Sequence, residues 1–124
     1  MKIVISLGSF LLEKALQDQL QEVPEVTDVV LLNSTSTPET FDPDFLITDV
    51  YTIKQKRPAC LSGAKMVFLD YGLSEDSIAC LIITNKIDGI MTPDTDIQLL
   101  LKAFHAMKKG QMWIDNCKIK ALVN

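Results

Sequence analysis

The sequence predicts an α/β domain built on a parallel sheet with helices against its faces. Three observations lead there. Short apolar runs alternate along the chain with segments of helical spacing. The runs are apolar at successive positions, as strands buried on both faces must be. A length of 124 residues is that of one ordinary domain with a core of useful size.

The elements follow in order. "KIVIS" (2–6) is short and β-branched, which predicts a first strand. "SFLLEKALQDQLQEV" (9–23) sets Leu12, Leu16, Leu20 and Val23 on one helical face, with Ser9 placed to cap and Pro24 to stop it. "DVVLL" (28–32) is a second strand, and "NSTSTPETFDPD", polar and with two prolines, is a poor helix. "FLITDV" (45–50) is a third strand with Asp49 near its carboxyl end. "YTIKQKRPACLSGA" allows at most a turn or two of helix before Pro58.

"KMVFLD" (65–70) is the fourth strand, "SEDSIACLIIT" (74–84) a capped helix, and "GIM" (89–91) the fifth strand. The last helix carries Thr95 and Gln98 at capping-box spacing, Leu100, Leu101, Phe104 and Met107 on its buried face, Lys108 and Lys109 at its negative end, and Gly110 as the stop. No repeat and no internal linker interrupts the pattern.

Composition narrows the function. The net charge of −4 argues against a nucleic-acid surface, which needs clustered Lys and Arg. The basic runs "KQKRP" (54–58) and "MKK" (107–109) read as solvated charge. Cys60, Cys80 and Cys117 have no metal-ligand spacing and read as reduced thiols, with Cys80 expected in the core. Cys60 has no basic partner nearby, and the only histidine, His105, is distant in sequence. The N-terminus lacks a cleavage site and Glu13 and Lys14 break its apolar run, so neither a signal peptide nor a membrane span is expected, and the location is expected to be cytoplasmic.

In open parallel sheets, functional groups collect at the carboxyl ends of the strands. Ser6, Asp49, Asp70 and Thr92 all occupy such ends. A carboxylate there is costly unless it has partners or a task.

Nearly the whole chain resembles a response-regulator receiver domain of the CheY-like fold. "KIDGIMTPDTDIQLLLKAFHAMKKGQMWID" is similar to the NarL/LuxR-type subgroup through Gly89, Asp94, Leu100, Leu101, Ala103, Gly110 and Trp113. "DPDFLITDV" resembles the family's "PDLVLLDI" strand, which puts Asp49 on the phosphoacceptor position. The resemblance implies a flavodoxin-like three-layer sandwich with a five-stranded parallel sheet in the order 2-1-3-4-5, here with shortened second and third helices. It implies one receiver-like domain over residues 1–124, whether whole or the N-terminal part of a longer regulator.

The resemblance also shows what is missing. Receivers pair two acidic residues after the first strand with the acceptor aspartate to hold Mg²⁺, which offsets the charge of the incoming phosphoryl group. "KIVISLGS" stands where the family has a "KILIVDDH"-like stretch, so the pair falls on Leu7 and Gly8. The hydroxyl switch position after strand four is Asp70, whose charge would repel phosphoryl oxygens. The aromatic switch is Ile90. The lysine after strand five falls on Pro93, or on Thr92 with a one-residue slip, and Thr52 and Ile53 replace the Met-Pro after the acceptor. Of the five positions that carry the chemistry, Asp49 alone has the family's residue. Mg²⁺ binding is expected to be weak or absent, with no other cofactor.

Three readings follow. The first is a non-enzymatic pseudo-receiver that acts by binding a protein partner (a histidine kinase or an output domain) or by forming a homodimer through its last-helix region. It would not touch nucleic acid or membrane itself. The second is a working phosphoacceptor using Asp49, with Asp70 standing in for a missing ligand. The third is a small flavodoxin-like enzyme or ligand carrier with an anion site at "SLGSF". An ordinary strand-to-helix turn capped by Ser9 is the plainer account of that stretch. Likewise, Asp49 and Asp70 as acceptors for loop N–H groups is the plainer account of the two acids.

Overall fold

In the computed structural model, residues 1–32, 42–55 and 61–114 are described. The chain divides into two compact units, Met1–Lys65 and Met66–Asn124.

The first unit contains β1 (Lys2–Ser6), α1 (Phe10–Gln21), β2 (Asp28–Leu31) and β3 (Phe45–Thr48). Its strands run in the order β2-β1-β3, all parallel. Ile3, Ile5, Phe45 and Ile47 alternate with Val4 and Leu46, and all six are buried, so apolar side chains leave both faces of the sheet. α1 packs on β1 and β2 and buries Leu20 there. Val4 and Leu46 pack with Leu61, flanked by Leu32 and Ala64. Leu32, Leu61 and Ala64, the described residues that cover this face, lie in turns outside the strands and α-helices. Ser9 caps α1 by accepting the Leu12 N–H at 3.3 Å.

The second unit contains β4 (Lys65–Leu69), whose first residue closes the first unit, then α2 (Glu75–Thr84), β5 (Gly89–Met91), α3 (Ile97–Lys108) and β6 (Trp113–Ile114). Its strand order is β4-β5-β6, again parallel. α3 presses closely on β5, where a Cβ on Gly89 would lie 2.6 Å from the Met107 sulfur. Leu100, Ala103, Phe104 and Met107 form the buried stripe of α3, and Gly110, at φ 87°, ends it in the left-handed region where glycine is favoured.

The described residues thus form six parallel strands and three helices, and the flavodoxin-like prediction holds, with the order 2-1-3 in the first unit and 4-5 in the second. Four details differ from the sequence reading. A sixth strand, β6, extends the second unit's sheet. The cap of α3 is Asp96, whose carboxylate accepts the Leu99 N–H at 2.8 Å, because Thr95 lies one residue too early and sits in a turn on Thr92. Cys80 is exposed: it is two residues past buried Ile78, about 200° around the helix. Val50 is exposed too, because β3 ends at Thr48. Residues 51–55 and 61–64 contain no α-helix. The expectations for 33–41, Cys60 and Cys117 lie outside the described residues. Among those described, no helix is long and apolar enough to cross a membrane.

Candidate functional site

Strand register assembles the site of the first unit. Ser6 pairs with Thr48 across β1 and β3, so the next residues, Leu7 and Asp49, leave the sheet side by side. Asp49 is completely buried. A carboxylate there needs hydrogen-bond donors, and the local chain supplies them. Its Oδ2 accepts the Gly8 N–H at 2.9 Å, and its Oδ1 accepts the Tyr51 N–H at 3.0 Å. The second bond closes a turn of the Asx kind over residues 49–51.

Thr52 completes the network. Its hydroxyl lies 3.1 Å from Asp49 Oδ1, donates to the Ser6 carbonyl, accepts the Asp49 N–H at 3.3 Å and stands 2.7 Å from the Thr48 hydroxyl. A hydroxyl has one proton, so Ser6 O and Asp49 Oδ1 compete for it. Thr52 and Ile53 donate their N–H groups to the Asp49 carbonyl at 3.2 and 2.9 Å. Asp49 therefore organises the turn that follows it with both side chain and backbone.

The sequence reading missed Glu13. It lies in the first turn of α1 yet is only 2% exposed, and its Oε2 accepts the Leu7 N–H at 3.2 Å. Burial raises its carboxyl pKa above the usual glutamate value; the Leu7 N–H pulls the other way, and the charge of Asp49 reinforces the rise. A signal was available. Glu13 is three residues before Leu16 and seven before Leu20, which puts it on the apolar stripe of its own helix. Its charge, which also interrupts the apolar run of the N-terminus, masks that position in the sequence.

Tyr51, 72% exposed, lies against Gly8: a Cβ built on Gly8 would be 2.7 Å from Tyr51 Cδ2 and 2.8 Å from its Cβ and Cγ. Residue 8 has no room for a side chain while the tyrosine holds this position. Leu7 is buried, as expected of a core residue. The first unit thus gathers Leu7, Gly8, Glu13, Asp49, Tyr51 and Thr52.

The second unit places the other candidates. Asp70 follows β4, is 2% exposed, and donates its own N–H to the Met91 carbonyl at 2.8 Å. Its Oδ1 accepts the Gly72 and Leu73 N–H groups at 2.8 and 2.9 Å. Ile90 is completely buried within β5. Pro93 is exposed between Thr92 and Asp94, and the Thr92 hydroxyl bonds the Asp94 carboxylate. His105 is exposed on α3.

The donor set is a poor match to a hard divalent cation, which takes several oxygen ligands. Leu7 and Gly8 contribute no side-chain oxygen, Tyr51 fills the space over Gly8, and the oxygens of Asp49 face N–H donors. Among the described residues no group of three or more His, Cys, Asp or Glu side chains is arranged to hold a metal.

No protein-family model and no curated protein matches the chain. Solved structures do. The chain is similar to the response regulator RcsB in a structure of two RcsB dimers bound to two parallel DNAs, at 16% identity and a TM-score of 0.71 over 99% of this chain and 66% of that one. It is similar to the isolated receiver domain of RcsB from Salmonella enterica serovar Typhimurium, at 17% identity and 0.67 over 99% and 98% of the two chains. The non-phosphorylated RcsB receiver domain from Escherichia coli gives 17% and 0.66 over 94% and 98%. The chain spans about two thirds of the longer regulator and nearly all of the isolated receivers. It has the receiver-domain fold.

Proposed function

We propose that this chain is an atypical receiver domain of a two-component-type transcriptional regulator that works through protein–protein contact. Its relatives in fold are receivers of response regulators, some of them seen as DNA-bound dimers. By analogy the partner is a histidine kinase, an output domain or a second copy, and DNA contact belongs to an output domain. The chemistry asked of the domain is binding and not turnover.

One observation carries the impaired-phosphorylation part of this reading. In an aspartyl acceptor, an outward oxygen must attack phosphorus while a cation offsets the charge. Here Asp49 is fully buried, with Oδ2 on Gly8 and Oδ1 on Tyr51 and near Thr52. The described first unit has no second oxygen-bearing side chain at positions 7 and 8. The acid that occupies the switch position, Asp70, is committed to two loop N–H groups. Pro93 has no ammonium to offer. Asp49 in this account is a structural acceptor of N–H bonds at the phosphoacceptor position.

The experiment is incubation of the full chain with acetyl phosphate and Mg²⁺, read by intact mass beside an ordinary receiver. Unmodified protein is expected. A phosphoryl adduct mapped to Asp49 would establish the alternative reading, a working phosphoacceptor. The ligand-carrier reading has less support, because the Leu7 and Gly8 N–H groups that would face an anion are taken by Glu13 and Asp49.

A further inference from the structure

Two buried carboxylates grip two consecutive N–H groups of one loop: Glu13 holds Leu7 and Asp49 holds Gly8. Asp49 also holds the N–H of Tyr51, whose ring and Cβ cover Gly8. The loop between β1 and α1, the first turn of α1 and the aromatic cover are thereby tied to one pair of like charges. A charge on Glu13 is opposed first by its burial, and the Asp49 charge adds to that cost.

We propose that Glu13 and Asp49 form a proton-operated latch, closed when Glu13 is neutral and loosened when it ionises. With Glu13 neutral, Asp49 keeps its charge-assisted bonds to Gly8 and Tyr51 without opposition, and Tyr51 stays seated on Gly8. When Glu13 loses its proton, the new carboxylate is buried and faces the Asp49 charge. Turning out to water relieves both costs, releases the Leu7 N–H and removes support from the Gly8–Tyr51 contact. The proton passes between Glu13 and solvent, and no other group changes.

The charges around Glu13 fit this direction. Asp49, at the end of β3, is the ionisable group whose field reaches it, and it raises the affinity of Glu13 for a proton, adding to the effect of burial. On α1 itself, Lys14 is exposed and bonds Gln17 at 3.2 Å, turned to the solvent side of the helix. The latch acts whether or not Asp49 ever receives a phosphoryl group, so it goes beyond the proposed function.

The test is an NMR pH titration of the full chain without phosphodonor, following the amide signals of Leu7, Gly8 and Tyr51. They are expected to move together with one midpoint above the ordinary glutamate range. Glu13→Gln, which keeps an oxygen to accept from Leu7, should hold all three near their acid-side positions throughout. Asp49→Asn should lower the midpoint of the Leu7 signal. A Glu13→Gln protein that titrates like the parent, or separate midpoints for Leu7 and for Gly8 with Tyr51, would overturn the latch. Neither result bears on the mass measurement of phosphorylation, so the two proposals fail separately.

Discussion

Gly8 and Tyr51 lie so close that any side chain on residue 8 would overlap the tyrosine, with its Cβ 2.7 Å from Cδ2 and 2.8 Å from Cβ. The Tyr51 Cβ is fixed to the backbone, so a ring rotation does not remove the overlap; the turn itself has to shift. Gly8→Ala is therefore expected to cost about 1–3 kcal/mol, the range for overpacking. Paired with Tyr51→Gly in a double-mutant cycle, the same change should cost clearly less. Urea unfolding of the four proteins measures this, and an equal cost in both backgrounds would show that the contact is not responsible. The same overlap means that an aspartate at residue 8 does not by itself rebuild an acidic pair.

Asp49 offers a sharper contrast. A carboxylate whose role is chemical can be replaced with little loss of stability, whereas one that satisfies the N–H groups of its loops cannot. Asp49→Ala strands Gly8 and Tyr51 N–H groups and removes a neighbour of the Thr52 hydroxyl. At roughly 1–3 kcal/mol for each donor left unsatisfied, and less where water reaches it, it should cost about 1–4 kcal/mol in chemical denaturation. Asp49→Asn should cost less, since one oxygen still accepts while the amide NH₂ faces a donor. Near-parent stability of Asp49→Ala would contradict the structural role assigned here.

Much of this could be read in the sequence, for identifiable reasons. The alternation of runs such as "KIVIS" and "KMVFL" with helical segments reported the parallel sheet because burial on both faces leaves few polar positions in a strand. Asp49 and Asp70 stood out because acids at strand ends are costly. Their partners stayed hidden, since backbone N–H groups leave no mark in composition. The burial of Glu13 is legible from its place on the apolar stripe of α1, but its proximity to the charge of Asp49, distant in sequence, shows only in the packing of α1 on the sheet. Strand β6 is two residues long, too short for periodicity to show. The cover of Gly8 by an exposed tyrosine has no sequence signature.

The raised pKa of Glu13 sets a direction for stability against pH. A carboxyl that binds its proton more tightly when folded than when unfolded stabilises the fold fully below its unfolded pKa. That contribution is lost as pH rises through the folded value. The parent should therefore lose stability from this group as pH rises above the usual glutamate value. Glu13→Gln should abolish that slope and be the more stable protein at neutral pH, while Glu13→Ala should be less stable than Glu13→Gln because Leu7 loses its acceptor. Unfolding midpoints taken across the acid-to-neutral range decide it, and parallel curves for the parent and Glu13→Gln would remove Glu13 as the cause.

Asp70 tests the same logic in the second unit, with a cation as the rival explanation. If its carboxylate serves the loop, Asp70→Ala frees the Gly72 and Leu73 N–H groups and should cost about 1–3 kcal/mol, the lower part of that range if water reaches them. Asp70→Ser should recover part of the loss, because a hydroxyl can accept from the same N–H groups two and three residues on, more weakly. If Asp70 served a metal, millimolar Mg²⁺ would raise the melting temperature of the parent by mass action, and neither variant would respond. The loop role requires the parent to be indifferent to Mg²⁺ and the order of stability to be parent, Asp70→Ser, Asp70→Ala. A Mg²⁺-dependent rise confined to the parent would return Asp70 to the ligand role and, with it, weight to phosphorylation at Asp49.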